Sequence, residues 1–320
     1  MSIAKLSKFI KNSSNKINLA LGEFTLTKQL GQGGNGLVYE ANFLDQIVAI
    51  KFLITEATGK SKQQKLQRFL AEYFNIVKIN DLANIVRYID YDLLKITDDG
   101  ELLEIPVIIM KRYDSSLERQ QIKKNKEEYK SLFSFLLDTV EKIHNIGIIH
   151  RDIKPENILV ESDKFVLADF GIANYNPVMF KAKAMTGKDE RLGNRLFSAP
   201  EQEEKNVTPH PTMDIYAIGQ VLQWYATGKT HRGTSREKIS ITFKEMEFLD
   251  PIIEKCLKNN PTERFQSIKE IRNFLKEKEK NKPDPFKYLE LFNDILVRNF
   301  PKNENRVVHS KNLFGTHFHT

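Results

Sequence analysis

After a lysine-rich start, the chain shows three short runs of β-prone residues: Phe24 to Leu30, Leu37 to Phe43 and Ile47 to Leu53. The first two are separated by Gly31-Gln32-Gly33-Gly34-Asn35-Gly36, which predicts an antiparallel meander opening with a glycine hairpin. From Lys62 to Asn80 the period changes, because Leu66, Phe69, Tyr73, Ile76 and Asn80 recur three or four apart, the spacing of a helix face. Two further strand-like runs, Ile85 to Leu94 and Leu102 to Met110, complete an α+β region. The chain then turns helical. Tyr129, Leu132, Phe133, Leu136, Val140 and Ile143 predict a buried helix from Glu127 to Ile146, with Gly147 as its stop. Ile158 to Val160 and Phe165 to Ala168 predict a small hairpin, and helical spacing returns from Asp214 to about Lys280. In the tail, Asp284-Pro285 followed by Phe286, Leu289, Phe292, Leu296 and Phe300 predicts a capped amphipathic helix. No period repeats along the chain, which sets solenoids and propellers aside.

Composition changes this picture little. The 320 residues are 40% hydrophobic and 28% charged, as expected of a chain that folds on its own core. The net charge of +7 is mild, and its basic residues are interleaved with acids, so a solvated surface is expected and a nucleic-acid partner is not. The single Cys256 cannot form an internal disulfide, and no Cys/His cluster has metal-ligand spacing. Lys5, Lys8, Lys11 and Lys16 interrupt the N-terminal apolar residues, and no apolar run approaches a membrane span. The expectation is a cytoplasmic protein without a membrane span.

The candidate chemistry lies in four places. Gly31, Gly33 and Gly36 form a GxGxxG pattern, with Gly34 between them. Such letters occur in plain turns and in dinucleotide sites. Here strand-like Leu37-Val38-Tyr39-Glu40 follows where a dinucleotide site needs a helix, which favours a loop that closes over phosphates with its backbone amides. Lys51 ends the apolar Val48-Ala49-Ile50, a place where a lysine commonly snorkels to the surface. It also stands one strand after the glycine loop and ahead of a helix carrying Glu72, which allows a cation between phosphates and a carboxylate; Glu56 is a competing acid. The run His150-Arg151-Asp152-Ile153-Lys154-Pro155-Glu156-Asn157 between apolar flanks would be costly in a strand unless its members pair around a site. Asp169-Phe170-Gly171 follows one hairpin later, and Ala199-Pro200-Glu201 lies downstream.

Together and in this order, these motifs resemble a eukaryotic-type protein kinase of the serine/threonine kind over about Phe24 to Lys280. The resemblance implies a bilobal α+β fold, with a small antiparallel β-sheet N-lobe carrying one main helix and a larger, mostly helical C-lobe. It divides the chain into an N-terminal extension (1–23), a kinase domain (24–280) and a C-terminal tail (281–320). Within the domain, the N-lobe is 24–110, the hinge 111–113 and the C-lobe 114–280. By resemblance Gly31, Gly33, Gly34 and Gly36 cover the phosphates of ATP, and Val38, Ala49 and Leu159 sandwich adenine. Met110 is the gatekeeper, and the Lys111–Tyr113 backbone, with Arg112 at its centre, is the hinge. Lys51 holds phosphates and pairs with Glu72, Asp152 takes the proton of the acceptor hydroxyl, Lys154 meets the γ-phosphate, and Asn157 and Asp169 ligate Mg²⁺. His150, Phe170 and Ile76 stack as a spine between the lobes.

Asp214 is expected to anchor the catalytic loop, and Glu201 to form a buried ion pair with Arg264. Both point to a protein acceptor. Lys154 follows the serine/threonine pattern, while Asn194 and Phe197 depart from the usual residues beside it. The expected activity is transfer of the ATP γ-phosphate to Ser/Thr hydroxyls of protein substrates, including the chain itself. A small-molecule phosphotransferase and a pseudokinase scaffold are the alternatives. Arg151 suggests an activation loop organised by an anion, with Thr186 as candidate phosphosite and Glu190 as a partial substitute for its phosphate.

Overall fold

The computed structural model describes residues 3–33, 36–98, 100–120, 125–180, 182, 196–204, 206–232, 236–280, 307–308 and 318–319. The chain divides into two units, Met1–Ile271 and Arg272–Thr320. The site described below, and the fold as far as Ile271, belong to the first. In the second, β12 (Val307–Val308) pairs antiparallel with β13 (Phe318–His319). The tail helix expected around Phe286 lies outside the described residues, as do Gly34, Thr186, Glu190 and Asn194.

The chain begins with helix α1 (Ile3–Asn12) and strand β1 (Lys16–Leu19), neither of which the strand reading from Phe24 anticipates. Ile3, Leu6 and Ile10 are spaced along one face of α1, and its lysines take the rest. Leu6 and Ile10 are buried against Ile17, Leu19, Phe24 and Leu26, so the stretch expected to be an extension is part of the N-lobe core. The sheet continues through β2 (Gly22–Gly33), β3 (Gly36–Phe43), β4 (Gln46–Phe52), β5 (Tyr88–Asp98) and β6 (Glu101–Lys111), in the order β1-β2-β3-β4-β6-β5. All neighbouring pairs are antiparallel. Alternation along β4 divides its side chains: Val48, Ile50 and Phe52 enter the core, whereas Ala49 and Lys51 face a cleft.

Helix α2 (Gly59–Val77) buries Arg68, Phe69, Glu72, Asn75 and Ile76, a stripe at helical spacing that carries an acid and an arginine inward with its apolar residues. Lys111 remains in β6, paired with Val48, so the chain leaves the sheet one residue later than the hinge expectation. Beyond it come the short β7 (Ser115–Ser116) and α3 (Lys126–Asn145). The side chain of Asn125 accepts from Glu128 N to cap α3, and Glu127 and Glu128 lie at its positive end. Gly147, at φ +75°, turns the chain into β8 (Ile148–Ile149). β9 (Ile158–Glu161) and β10 (Lys164–Leu167) form the expected hairpin, and β11 (Asn174–Tyr175) pairs with β8. Helix α4 (Pro211–Thr227) is buried nearly all round, as the central helix of a helical lobe must be, and α5 (Asp250–Cys256) and α6 (Ile268–Lys280) follow.

Candidate active site

A cleft of about 900 Å³ opens between the sheet and the helical lobe. Its roof is the β2–β3 hairpin, whose register pairs Gly31 with Val38 and Gly33 with Gly36. The three glycines differ in what the fold asks of them. A β-carbon at Gly36 would stand 2.0 Å from the Phe52 carbonyl oxygen, and its φ of +147° is itself glycine-favouring, so the backbone requires this residue. A β-carbon at Gly31 or Gly33 meets, among the described residues beyond its chain neighbours, no atom within 4 Å, and both glycines line the cleft. Packing within the protein therefore does not demand those two; close approach of a ligand would.

Val38, Ala49, Met110, Arg112 and Leu159 line the inner part of the cleft. The Arg112 side chain does not point freely into it, because Nε donates to Glu40 Oε2 at 2.8 Å. Lys51 is buried, and its Nζ donates to both Glu72 oxygens at 2.8 and 2.9 Å and to Asp169 Oδ1 at 3.0 Å. Glu56, the competing acid, is exposed. Burial works against the Lys51 charge, but the carboxylates of Asp169 and Glu72 overcome it and raise its pKa above the ordinary lysine value. Burial also pushes Glu72 upward, against the pull of Lys51. For Asp169 the Lys51 ammonium outweighs burial and holds the carboxyl below its usual range.

The opposite wall is the loop from His150 to Asn157. Asp214, on α4, fixes it by accepting from the backbone N–H groups of His150 and Arg151 at 2.8 and 2.7 Å. His144, which the sequence reading did not single out, bonds the same carboxylate at 2.8 Å. Burial would raise the Asp214 pKa; the bond from His144 and the loop around it hold it low. Lys154 Nζ and Asn157 Nδ2 reach Asp152 Oδ2 at 2.8 and 3.0 Å, and Asn157 Nδ2 also donates to the Asp152 carbonyl. Asp152 is thereby held with its carboxylate between a cation and an amide. Arg151 and Asp169 have φ of +69° and +60°, conformations that cost non-glycine residues on the order of 1–3 kcal/mol and concentrate at functional sites.

His150 is fully buried, its ring tilted against Phe170 with 4.5 Å between centroids, and burial lowers its pKa. Its Nδ1 accepts from Asp152 N, so Nε2 carries the proton and donates to Ala168 O, which makes this histidine a neutral strut. Ile76 is likewise buried. In the helical lobe, the Arg264 guanidinium grips Glu201 in a bidentate pair at 2.7 and 2.8 Å.

The donor set fits Mg²⁺. Asn157 commits its amide nitrogen to Asp152 and keeps Oδ1, and Asp169 keeps Oδ2. These are hard oxygen donors, and among the described residues no three His, Cys, Asp or Glu side chains cluster as a metal set. Mg²⁺ commonly takes only one or two protein oxygens and completes its shell with water and phosphate. Among the described residues, no helix is long and apolar enough to cross a membrane.

Comparison with known proteins gives this geometry its context. A probable serine/threonine-protein kinase of Clostridium perfringens is 28% identical over 283 residues, covering 82% of this chain and 38% of its own length. A probable serine/threonine-protein kinase PknB of Lactococcus lactis is 32% identical over 215 residues, 64% of this chain and 32% of its own. The mouse dual specificity protein kinase TTK is 27% identical over 276 residues, 78% of this chain and 30% of its own. The chain thus spans between 30% and 38% of the length of these relatives. Residues 24–284 match the protein kinase domain family, and with well over half of its length so matched the chain belongs to that family.

Proposed function

We propose that the chain transfers the γ-phosphate of Mg²⁺-bound ATP to Ser/Thr hydroxyls of protein substrates, itself among them. The observation that carries this reading is the pair of opposed walls: Lys51 held between Glu72 and Asp169, and Asp152 held between Lys154 and Asn157. Phosphoryl transfer asks little covalent chemistry of the protein, so positioned charges supply most of the acceleration. Lys51 holds the α- and β-phosphates beneath Gly31, Gly33, Gly34 and Gly36, with adenine between Val38, Ala49 and Leu159. Met110 and the backbone around Arg112 border it. Asp152 orients the acceptor hydroxyl and takes its proton, and Lys154 faces the phosphoryl group being moved. Asn157 and Asp169 are the protein ligands of Mg²⁺, which when bound neutralises phosphate charge.

Two of the three relatives named above are called serine/threonine-protein kinases, which supports Ser/Thr acceptors, and Lys154 after Asp152 fits that preference. The proposed setting is cytoplasmic, with ATP and a protein substrate as partners and no nucleic acid. The test is mass-spectrometric mapping of phosphosites after incubation with ATP and Mg²⁺, beside Asp152→Ala. Loss of a general base commonly costs about 10²- to 10⁴-fold, so phosphoserine or phosphothreonine should appear in the wild type and nearly vanish in the variant. Equal labelling of both proteins, or none in the wild type, overturns the reading.

A further inference from the structure

The Glu72 carboxylate has a third donor besides the two bonds from Lys51. Tyr88, the first residue of β5, is 3% exposed, and its hydroxyl donates to Glu72 Oε1. Nothing in the spacing of the sequence marks this residue, and a Phe or Leu would serve a strand buried there equally well. The residue is held at its backbone and along one face of its ring. The Asn80 side chain brackets its backbone, with Nδ2 donating to Tyr88 O at 2.9 Å and Oδ1 accepting from Tyr88 N at 3.4 Å. The Tyr73 ring of α2 lies stacked beside it, 6.3 Å between centroids. Just upstream, Val86 N donates to Leu167 O, and Leu167 N to Asn84 O, which ties the start of β5 to the strand that leads into Asp169.

We propose that Tyr88 is a positioning residue of the cleft: its hydroxyl fixes the Glu72 carboxylate from behind, and Glu72 in turn sets where the Lys51 ammonium stands. The chain just before Tyr88 is tied by backbone hydrogen bonds to Leu167, two residues before Asp169, whereas Glu72 belongs to α2. The phenol therefore couples the placement of the helix to the placement of the acid on the far side of Lys51. Burial, and then the neighbouring Glu72 charge, raise the Tyr88 pKa well above that of a free phenol, so the hydroxyl keeps its proton and acts as a donor. A helix that swung outward would leave that donor buried without an acceptor, a penalty comparable to the bond itself.

This inference rests on the proposed nucleotide site and is tested on binding, independently of turnover. Affinities for ATP with Mg²⁺ and for adenosine, which has no phosphates, are compared by calorimetry in wild type, Tyr88→Phe, Glu72→Gln and the double variant. A hydrogen bond to a charged group is at stake, so Tyr88→Phe should weaken ATP binding about tenfold and leave adenosine binding unchanged. In the Glu72→Gln background the same substitution should add less than about twofold, because its route to Lys51 has gone. If Glu72→Gln does not fold, Lys51→Met serves as the second background with the same expectation. Unaltered ATP affinity in Tyr88→Phe, equal loss for ATP and adenosine, or an equal factor in both backgrounds would overturn the proposal and mark Tyr88 as packing. A wild type that binds no ATP would instead overturn the nucleotide site itself.

Discussion

Each lobe contains a cation buried against a carboxylate, Lys51 on Glu72 in the sheet lobe and Arg264 on Glu201 in the helical lobe, and these two pairs are built differently. In the helical lobe all five N–H groups of Arg264 are used: two on Glu201, the others on the carbonyls of Lys258, Thr212 and Asn259. Its guanidinium also lies over the Tyr216 ring, 4.8 Å from the centroid. In the sheet lobe Lys51 has one buried carboxylate partner, Glu72, and one that is 31% exposed in its side chain, Asp169, and Lys51 itself lines the cleft. An arginine whose donors all end on fixed protein acceptors has nothing left to offer a ligand. A lysine suspended between a deep carboxylate and a cleft-side one keeps its charge at a surface where an anion can share it. Burial of a charge alone therefore does not separate a structural pair from a functional one; the exposure of the second partner does.

The comparison breaks most visibly at Arg264. Arg264→Ala leaves Glu201 buried without its cation and should cost about 3–5 kcal/mol of stability, read as a lowered urea midpoint. A variant that unfolds like the wild type would remove the contrast. Lys51→Met should act on turnover. Steady-state phosphotransfer should fall about 10²- to 10³-fold, the scale for removing one preorganised charge from a transition state, whereas Arg264, which lies outside the cleft, is read through stability. The smallest effect is one of pH. His150, behind the cleft, is neutral in the fold because burial lowers its pKa from 6.5, against the pull of Asp214, Asp152 and Asp169. The unfolded chain binds the extra proton, so this histidine's contribution to stability declines as pH falls below about 6.5, by at most about 1.4 kcal/mol per pH unit. Urea unfolding at about pH 7.5 and about pH 5.5 should show a flatter dependence in His150→Phe than in the wild type.

Much of this was legible in the letters. The glycine hairpin, the α2 stripe and the loop from His150 to Asn157 announce themselves because motif and period coincide with short-range structure. Gly36 is recognisable for a reason the motif does not state, a backbone carbonyl 2.0 Å from any side chain placed there. What escaped was of two kinds. Helix α1 carries Leu6 and Ile10 four apart, a helical signal that the lysines interleaved with them mask. Tyr88 and His144 escaped because their value lies in a partner 16 or 70 residues away, Glu72 and Asp214, and no local pattern records it.

Strand β1 is only four residues long, yet it lies at the end of the sheet, beside the twelve-residue β2. Without it, the long hairpin strand that roofs the cleft would present an open row of backbone donors and acceptors to any other extended chain, the usual starting point for sheet-to-sheet aggregation. β1 covers the start of that edge, Gly22 to Thr25, with a short strand whose exposed residues are Lys16 and Asn18, and Lys16 is tied across to Glu23 at 2.7 Å. The first twenty residues thus act as a selvedge for the sheet: they finish its border where β2 begins, so that the start of the strand above the cleft pairs within its own molecule.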